Sequence, residues 1–167
     1  MKKYLYNIKL FLIVFVGLFV FFNCTSTKTA GSENGNLSAA SVKDMVASQK
    51  FTFVAERVEP LRGRSRQLTS RYDVSVSHDS LISYLPYFGR AYTAPLNSSE
   101  AGIQFTSTDF SYNYSEAKAN RWEVVIKPND INSVQQMRFT IFDNGSASLM
   151  VTSNSKDPIS FTGHVKQ

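Results

Sequence analysis

From Phe51 onward, apolar residues recur at every second position in short runs, and turn-forming residues separate the runs. Successive side chains of an extended strand point to opposite faces, so this pattern suits half-buried strands and conflicts with helical spacing. Phe51, Phe53 and Ala55 alternate with Thr52, Val54 and Glu56, and Tyr72–Val76 and Phe110–Tyr114 alternate too. Leu81–Leu85 and Tyr87–Thr93 are rich in aromatic and branched residues. Trp122–Ile126, Met137–Phe142, Ala147–Thr152 and Ile159–Val165 complete the series. The separators are His78-Asp79-Ser80, Asn97-Ser98-Ser99, Pro128-Asn129-Asp130, Asp143-Asn144-Gly145 and residues 154–158, all with turn chemistry. At Asp143-Asn144-Gly145, Asn and Gly tolerate the positive φ that a tight hairpin demands. Eight or nine short strands with hairpin-length links predict a mostly β domain, an antiparallel meander forming a barrel or a sandwich. Parallel pairing needs crossover helices, which this stretch does not offer.

One short helix precedes the strands. Over Ser38–Gln49, Val42, Met45, Val46 and Gln49 fall on one helical face, and Ser41 with Asp44 fits a capping box. Residues 25–37 are rich in Ser, Thr, Gly and Asn without apolar periodicity, which predicts a flexible tether.

The chain begins with a basic segment carrying Lys2, Lys3 and Lys9, then an apolar run from Leu10 to Phe22, then Asn23 and Cys24. That order is the plan of a secretory signal. The run is shorter than the roughly 20 apolar residues of a bilayer-crossing helix, so a permanent span is the weaker alternative. Cys24 is the only cysteine, so no intrachain disulfide can use it. Its place at the foot of the leader predicts a lipoprotein: residues 1–23 removed, Cys24 lipidated with palmitate among its acyl chains, 24–37 as tether, and 38–167 as one domain. The expected location is the bacterial cell envelope, at the outer membrane, with the membrane contacted through that lipid. Phe21, Phe22 and Asn23 stand where such signals usually carry a small residue. The formal charge of +5 counts the three leader lysines, so the remaining chain lies closer to neutrality and gives no case for nucleic acid.

The densest stretch runs from Arg57 to Tyr92. Arg57, Arg62, Arg64, Arg66 and Arg71 are five of the chain's eight arginines. If the segment is extended, Arg62, Arg64 and Arg66 share one face, suited to a carboxylate, a phosphate or an anionic headgroup. The bland alternative is a solvated hairpin pairing with Glu56 and Glu59. Tyr84, Tyr87, Phe88 and Tyr92 give a large aromatic payload around Pro86, Gly89 and Arg90. Pro86 interrupts pairing, Gly89 permits close backbone approach, and Arg90 suits an aromatic face or a carboxylate. These residues line a binding surface or, equally simply, fill a core corner.

Arg62-Gly63-Arg64-Ser65, Leu68-Thr69 and Tyr84-Leu85-Pro86-Tyr87-Phe88-Gly89-Arg90-Ala91-Tyr92 closely resemble the domain of unknown function 4251 family. Asn144-Gly145-Ser146-Ala147 and Ile159-Ser160-Phe161-Thr162-Gly163 resemble its closing strands, and the likeness spans Val42 to Val165. The resemblance implies export, a lipoprotein habit and a Bacteroidetes lineage, and no activity. Ser155-Lys156-Asp157 departs from the arginine-containing turn that the likeness leads one to expect.

The parts of an enzyme are not assembled in this sequence. His78 falls in a turn and His164 near the end, neither beside another ligand at metal spacing. There is no Gly-x-Ser-x-Gly and no glycine-rich phosphate loop. No metal and no cofactor are expected, and a hydrolase is only a remote alternative. Asp79-Ser80-Leu81 matches a short O-glycosylation acceptor, with Ser80 as the acceptor. The favoured reading is a membrane-tethered binding module for a small apolar or anionic ligand. The alternative is an envelope protein–protein interaction module.

Overall fold

The computed structural model describes residues 37–92, 102–118 and 120–167. Helix α1 (Ala39–Ala47) leads into nine strands: β1 (Phe51–Pro60), β2 (Arg66–Val76), β3 (Leu81–Leu85), β4 (Ile103–Ser107), β5 (Phe110–Lys118), β6 (Arg121–Pro128), β7 (Val134–Phe142), β8 (Ser146–Ser153) and β9 (Ile159–Lys166). They form one antiparallel sheet in the order β4-β3-β2-β1-β9-β8-β7-β6-β5. The last strand pairs with the first, Phe53 opposite Val165 and Val58 opposite Phe161.

In a nine-strand antiparallel order the two outermost strands run the same way. Here those are β4 and β5, joined only by Thr108 and Asp109. They are two halves of one bent strand: the first half pairs with β3 and the second with β6. A strand that changes partners at a bend turns the corner of a sheet and draws it toward closure. The bend is pinned by the β6–β7 turn. Ser107 Oγ donates to Asp130 Oδ1, Thr108 N donates to Asp130 Oδ2 at 3.0 Å, and Asn129 N donates to the Asp109 carbonyl at 2.8 Å.

The expected alternation is realised as an inner face. Phe51, Phe53, Leu81, Leu85, Ile126, Met137, Phe139, Ile141, Leu149 and Phe161 are fully buried. Phe139 sits edge-on to Phe51 and Phe53, with centroids 5.6 and 5.8 Å apart. Burial of each such side chain contributes about 1.5–3 kcal/mol. The buried Ser83 hydroxyl is satisfied by the Ile103 carbonyl at 2.8 Å.

Helix α1 covers this core with Val42, Met45 and Val46. It is capped by Ser38, not by Ser41 and Asp44 as the sequence suggested: Ser38 Oγ accepts from Ser41 N at 3.2 Å. Ser38 lies in the extended conformation that an N-cap needs. At the other end Lys50 N reaches the Met45 carbonyl and Gln49 N the Val46 carbonyl, with Gln49 at φ 54°. This is a Schellman ending with glutamine where glycine is usual. Tyr112 on β5 donates to the Val46 carbonyl at 2.8 Å. The unit Asn36–Gln167 contains this helix, its cap and every core side chain named above.

Three strand expectations needed correction. β4 was not foreseen as a strand. Tyr87–Thr93 was expected as a strand, but over its described part, Tyr87–Tyr92, the chain is a loop with a single bridge from Ala91 to Lys156. Pro86 brings no N–H to a ladder, so β3 stops at Leu85. In the 143–145 turn only Gly145 takes a positive φ, 81°, so the turn is a three-residue loop closed by a left-handed glycine. The Asn97-Ser98-Ser99 turn, the leader, Cys24 and the tether up to residue 36 lie outside the described residues.

Candidate functional site

Three connections meet at one end of the sheet: the β1–β2 tip (residues 61–65), the loop after β3 and the β8–β9 turn. Register places them together. Pro60 pairs with Ile159, Val58 with Arg66, and Ala91 with Lys156.

The loop after β3 is latched to the β8–β9 turn. Tyr92 N donates to the Ser155 carbonyl at 2.8 Å and Asp157 N to the Arg90 carbonyl at 3.0 Å. The half-buried Tyr87 hydroxyl lies 2.8 Å from the Arg90 carbonyl and 3.1 Å from that of Asp157. A Cβ at Gly89 would lie 2.5 Å from the Tyr87 hydroxyl, so a larger residue there would push that hydroxyl off its two carbonyls. The Lys156 ammonium stands 5.0 Å from the Tyr87 ring centroid and donates to the Gly102 carbonyl at 2.7 Å. A cation thus fills the turn where an arginine was expected.

Asp157 is the polar centre of the latch. It is 6% exposed, and Tyr92 donates its hydroxyl to Asp157 Oδ1. That bond, ahead of burial, raises the Tyr92 pKa, while the Arg62 and Arg90 guanidiniums oppose the rise. Both arginines therefore stand within electrostatic reach of the Tyr92 ring. Burial first, then the Asp157 charge, raises the Tyr87 pKa. Arg66 lies over the Phe88 ring at 5.2 Å, so the guanidinium-on-aromatic contact foreseen for Arg90 is made by Arg66 instead. Among the described residues no arginine pairs with the internal acid Asp157; Tyr92 does.

Arg62, Arg66, Phe88, Arg90 and Tyr92 are thus brought to one rim, with Arg64 on the same tip. Arg62, Arg64 and Arg90 are exposed. The shared extended face expected for Arg62, Arg64 and Arg66 is not present: Gly63 sits at φ 117° and turns the chain between them. Among the described residues, these four arginines form no ion pair. Glu56 instead pairs with His164 at 2.8 Å, and Arg71 with Asp73 at 3.4 Å. Tyr84 stands apart from the rim. It is 49% exposed, lies opposite Asp73 and Gln104 in the ladder and stacks on Tyr72 at 5.7 Å. Ser80 is half-buried in the β2–β3 turn, its hydroxyl 2.7 Å from that of Ser77. The nearby Asp79 carboxyl is held below its usual range, chiefly by a hydrogen bond from Ser77.

Sequence reasoning missed Asp157 and Lys156 as parts of this site. The only local signal was a charged pair before Pro158 in a turn. Nothing local ties Asp157 to Tyr87, 70 positions away. Elsewhere, open depressions of about 300 and 390 Å3 adjoin α1. Ser41, Asp44, Met45, Ser48 and Gln167 line the first, and Leu37, Ala39, Asp143 and Asn144 the second. Among the described residues no three His, Cys, Asp or Glu side chains converge as a metal site, and no helix is long and apolar enough to cross a membrane.

A family model described as Domain of unknown function (DUF4251) matches residues 33–165. The chain belongs to the DUF4251 family. Its fold is similar to the crystal structure of a DUF4251 family protein from Bacteroides eggerthii DSM 20697, with a TM-score of 0.54 and 18% identity. The match covers 77% of this chain and 88% of that one. No curated protein matches the chain. In this DUF4251 domain the Tyr84–Tyr92 block that carries the resemblance is largely the latch, and the rim stands on it.

Proposed function

We propose that this DUF4251 domain is a binding module, exported and tethered by a lipid on Cys24, that holds an anionic ligand on its arginine rim. One observation carries the reading: Arg62, Arg64, Arg66 and Arg90 are gathered at one end of the sheet, and no acid among the described residues pairs with them. Guanidiniums held near one another raise the local potential, and each can fork onto a carboxylate or phosphate. The Tyr87–Asp157 latch fixes the backbone that bears Arg90, so part of the ordering cost is met before binding. The side chains filling the inner face favour an anionic ligand at the rim over an apolar one between the strands. The basic start, the short apolar run and Cys24 support export to the envelope of a member of the Bacteroidetes, with the anchor in the outer membrane.

Amide chemical shifts recorded while inorganic pyrophosphate or citrate is added test the rim. Residues 62–66 and 90–92 should respond together, and Arg62→Ala with Arg90→Ala should abolish the response. Shifts spread evenly over the surface would refute the assignment. For the anchor, cells fed labelled palmitate should mark the protein, and Cys24→Ala should not be marked. A protein that stays unlabelled and keeps its first residues would remove the tether from the reading.

A second reading has its own observation. Ile82 and Tyr84, 46% and 49% exposed, stand on neighbouring outward positions of β3. An apolar outer face of this kind suits an envelope protein partner. Crosslinking in cells that is unchanged by Tyr84→Ser would dismiss it.

A further inference from the structure

We propose that the rim docks on the surface of an anionic lipid bilayer, with Leu61 entering the boundary between headgroups and acyl chains. This rests on the anion-binding reading and names its partner.

The argument begins at the tip of the β1–β2 hairpin. Leu61 follows the last residue of β1 and is 62% exposed. Arg62 and Arg64, both exposed, come next, separated by Gly63. Among the described residues nothing lies within 4 Å of where a Gly63 Cβ would be, so the turn is open at its apex. An exposed hairpin tip is poor at enclosing a small anion, because small-ligand sites are concave and bury most of the ligand. It is well shaped to meet a broad surface.

Composition points the same way. From Leu61 to Tyr72 the chain holds four arginines and no acid. The acids flanking that stretch are Glu59, opposite Ser160 on β9, and Asp73, which pairs with Arg71, while the neighbouring Asp157 is buried and bonded to Tyr92. A soluble phosphate has no use for an exposed leucine. A bilayer does, because the side chain leaves water for the acyl boundary while nearby cations meet the headgroups. Tyr92 is 63% exposed beside Arg90; with its hydroxyl held by Asp157, it offers the bilayer boundary the face of its ring. Exposed leucine, arginine and tyrosine at one end of the sheet together make an interfacial contact.

The test uses the unit Asn36–Gln167, which contains its own helix cap and core, so the leader cannot contribute. Flotation is measured with vesicles of phosphatidylcholine alone and with about a third phosphatidylglycerol, where each basic residue at the surface is worth roughly fivefold in binding. Binding should require the anionic lipid and fall with added salt. Arg62→Ala and Arg64→Ala should each weaken it about fivefold, and Leu61→Ser about tenfold. All three positions are exposed, and circular dichroism melts should match the parent. Binding that ignores Leu61→Ser, or that is equal on neutral vesicles, overturns the proposal. If vesicles are not bound while pyrophosphate still shifts the rim amides, the bilayer is wrong and the anion site stands. If neither binds, both readings fail.

Discussion

Replacing Tyr87 with phenylalanine removes one oxygen from the latch and leaves its packing in place. The hydroxyl has one hydrogen to share between the Arg90 carbonyl at 2.8 Å and the Asp157 carbonyl at 3.1 Å. The ring still lies under the Lys156 ammonium, and no cavity forms. Arg90 O keeps its bond from Asp157 N at 3.0 Å, so the loss falls mainly on the Asp157 carbonyl. A net intramolecular hydrogen bond contributes about 0.5–1.5 kcal/mol. Tyr87 is only half-buried, so water offsets part of the loss, and the expected cost is about 1 kcal/mol. Amide hydrogen exchange reads this directly at Tyr92 N and Asp157 N, the two main-chain donors of the latch. Both should exchange about fivefold faster, and urea unfolding should report a loss of about 1 kcal/mol. The rim should also bind anions more weakly, because the backbone bearing Arg90 is less firmly held. Unchanged exchange at those two amides, with the global loss present, would refute the view that Tyr87 holds the loop to the β8–β9 turn.

At Gly163 an added Cβ would lie 1.9 Å from the Val54 carbonyl, so Gly163→Ala must part β1 from β9. Overpacking and lost ladder bonds together predict a loss of about 3 kcal/mol or more by urea unfolding, and a loss below about 1 kcal/mol would contradict that approach. Gln49→Gly relieves a left-handed backbone at φ 54° and should stabilise by about 1 kcal/mol, read as a higher melting temperature. The Ser107 hydrogen bond, ahead of that from Thr108 N, holds the Asp130 carboxyl below its usual range. As pH falls the unfolded chain therefore takes up the proton first. The stabilisation is complete above about pH 4 and is lost as pH drops through the native value. Asp130→Asn should be less stable at neutral pH and lose less than the parent between about pH 5 and 3 in urea midpoints.

Much of the fold was legible because alternation along a strand is a local property. Leu81, Ser83 and Leu85 face inward and Ile82 and Tyr84 outward, and any half-buried strand with this sequence would divide the same way. The helix face of Val42, Met45 and Val46 was equally plain, and so was the 143–145 hairpin. Boundaries were harder. β4, Ile103–Ser107, is as short as β3 but carries only Ile103 and Phe105 as apolar residues, too few for its alternation to stand out beside the β5 that continues it. The site was half legible: the arginines and aromatics were conspicuous, but their arrangement was not. Whether Arg66 or Arg90 stacks on an aromatic ring depends on where the 86–92 loop settles, and neighbouring residues do not fix that.

Amino-acid order alone determined that this chain forms short antiparallel strands behind one amphipathic helix, because turn chemistry and side-chain period act over a few residues. It also determined which side chains enter the core. Tertiary structure alone decided that β4 and β5 are one strand bent across the closing edge, and that Asp157 receives Tyr92. It also decided that Leu61 and four arginines stand at the same end. Those outcomes join positions tens of residues apart, and such contacts form only when the whole sheet fixes register and curvature together.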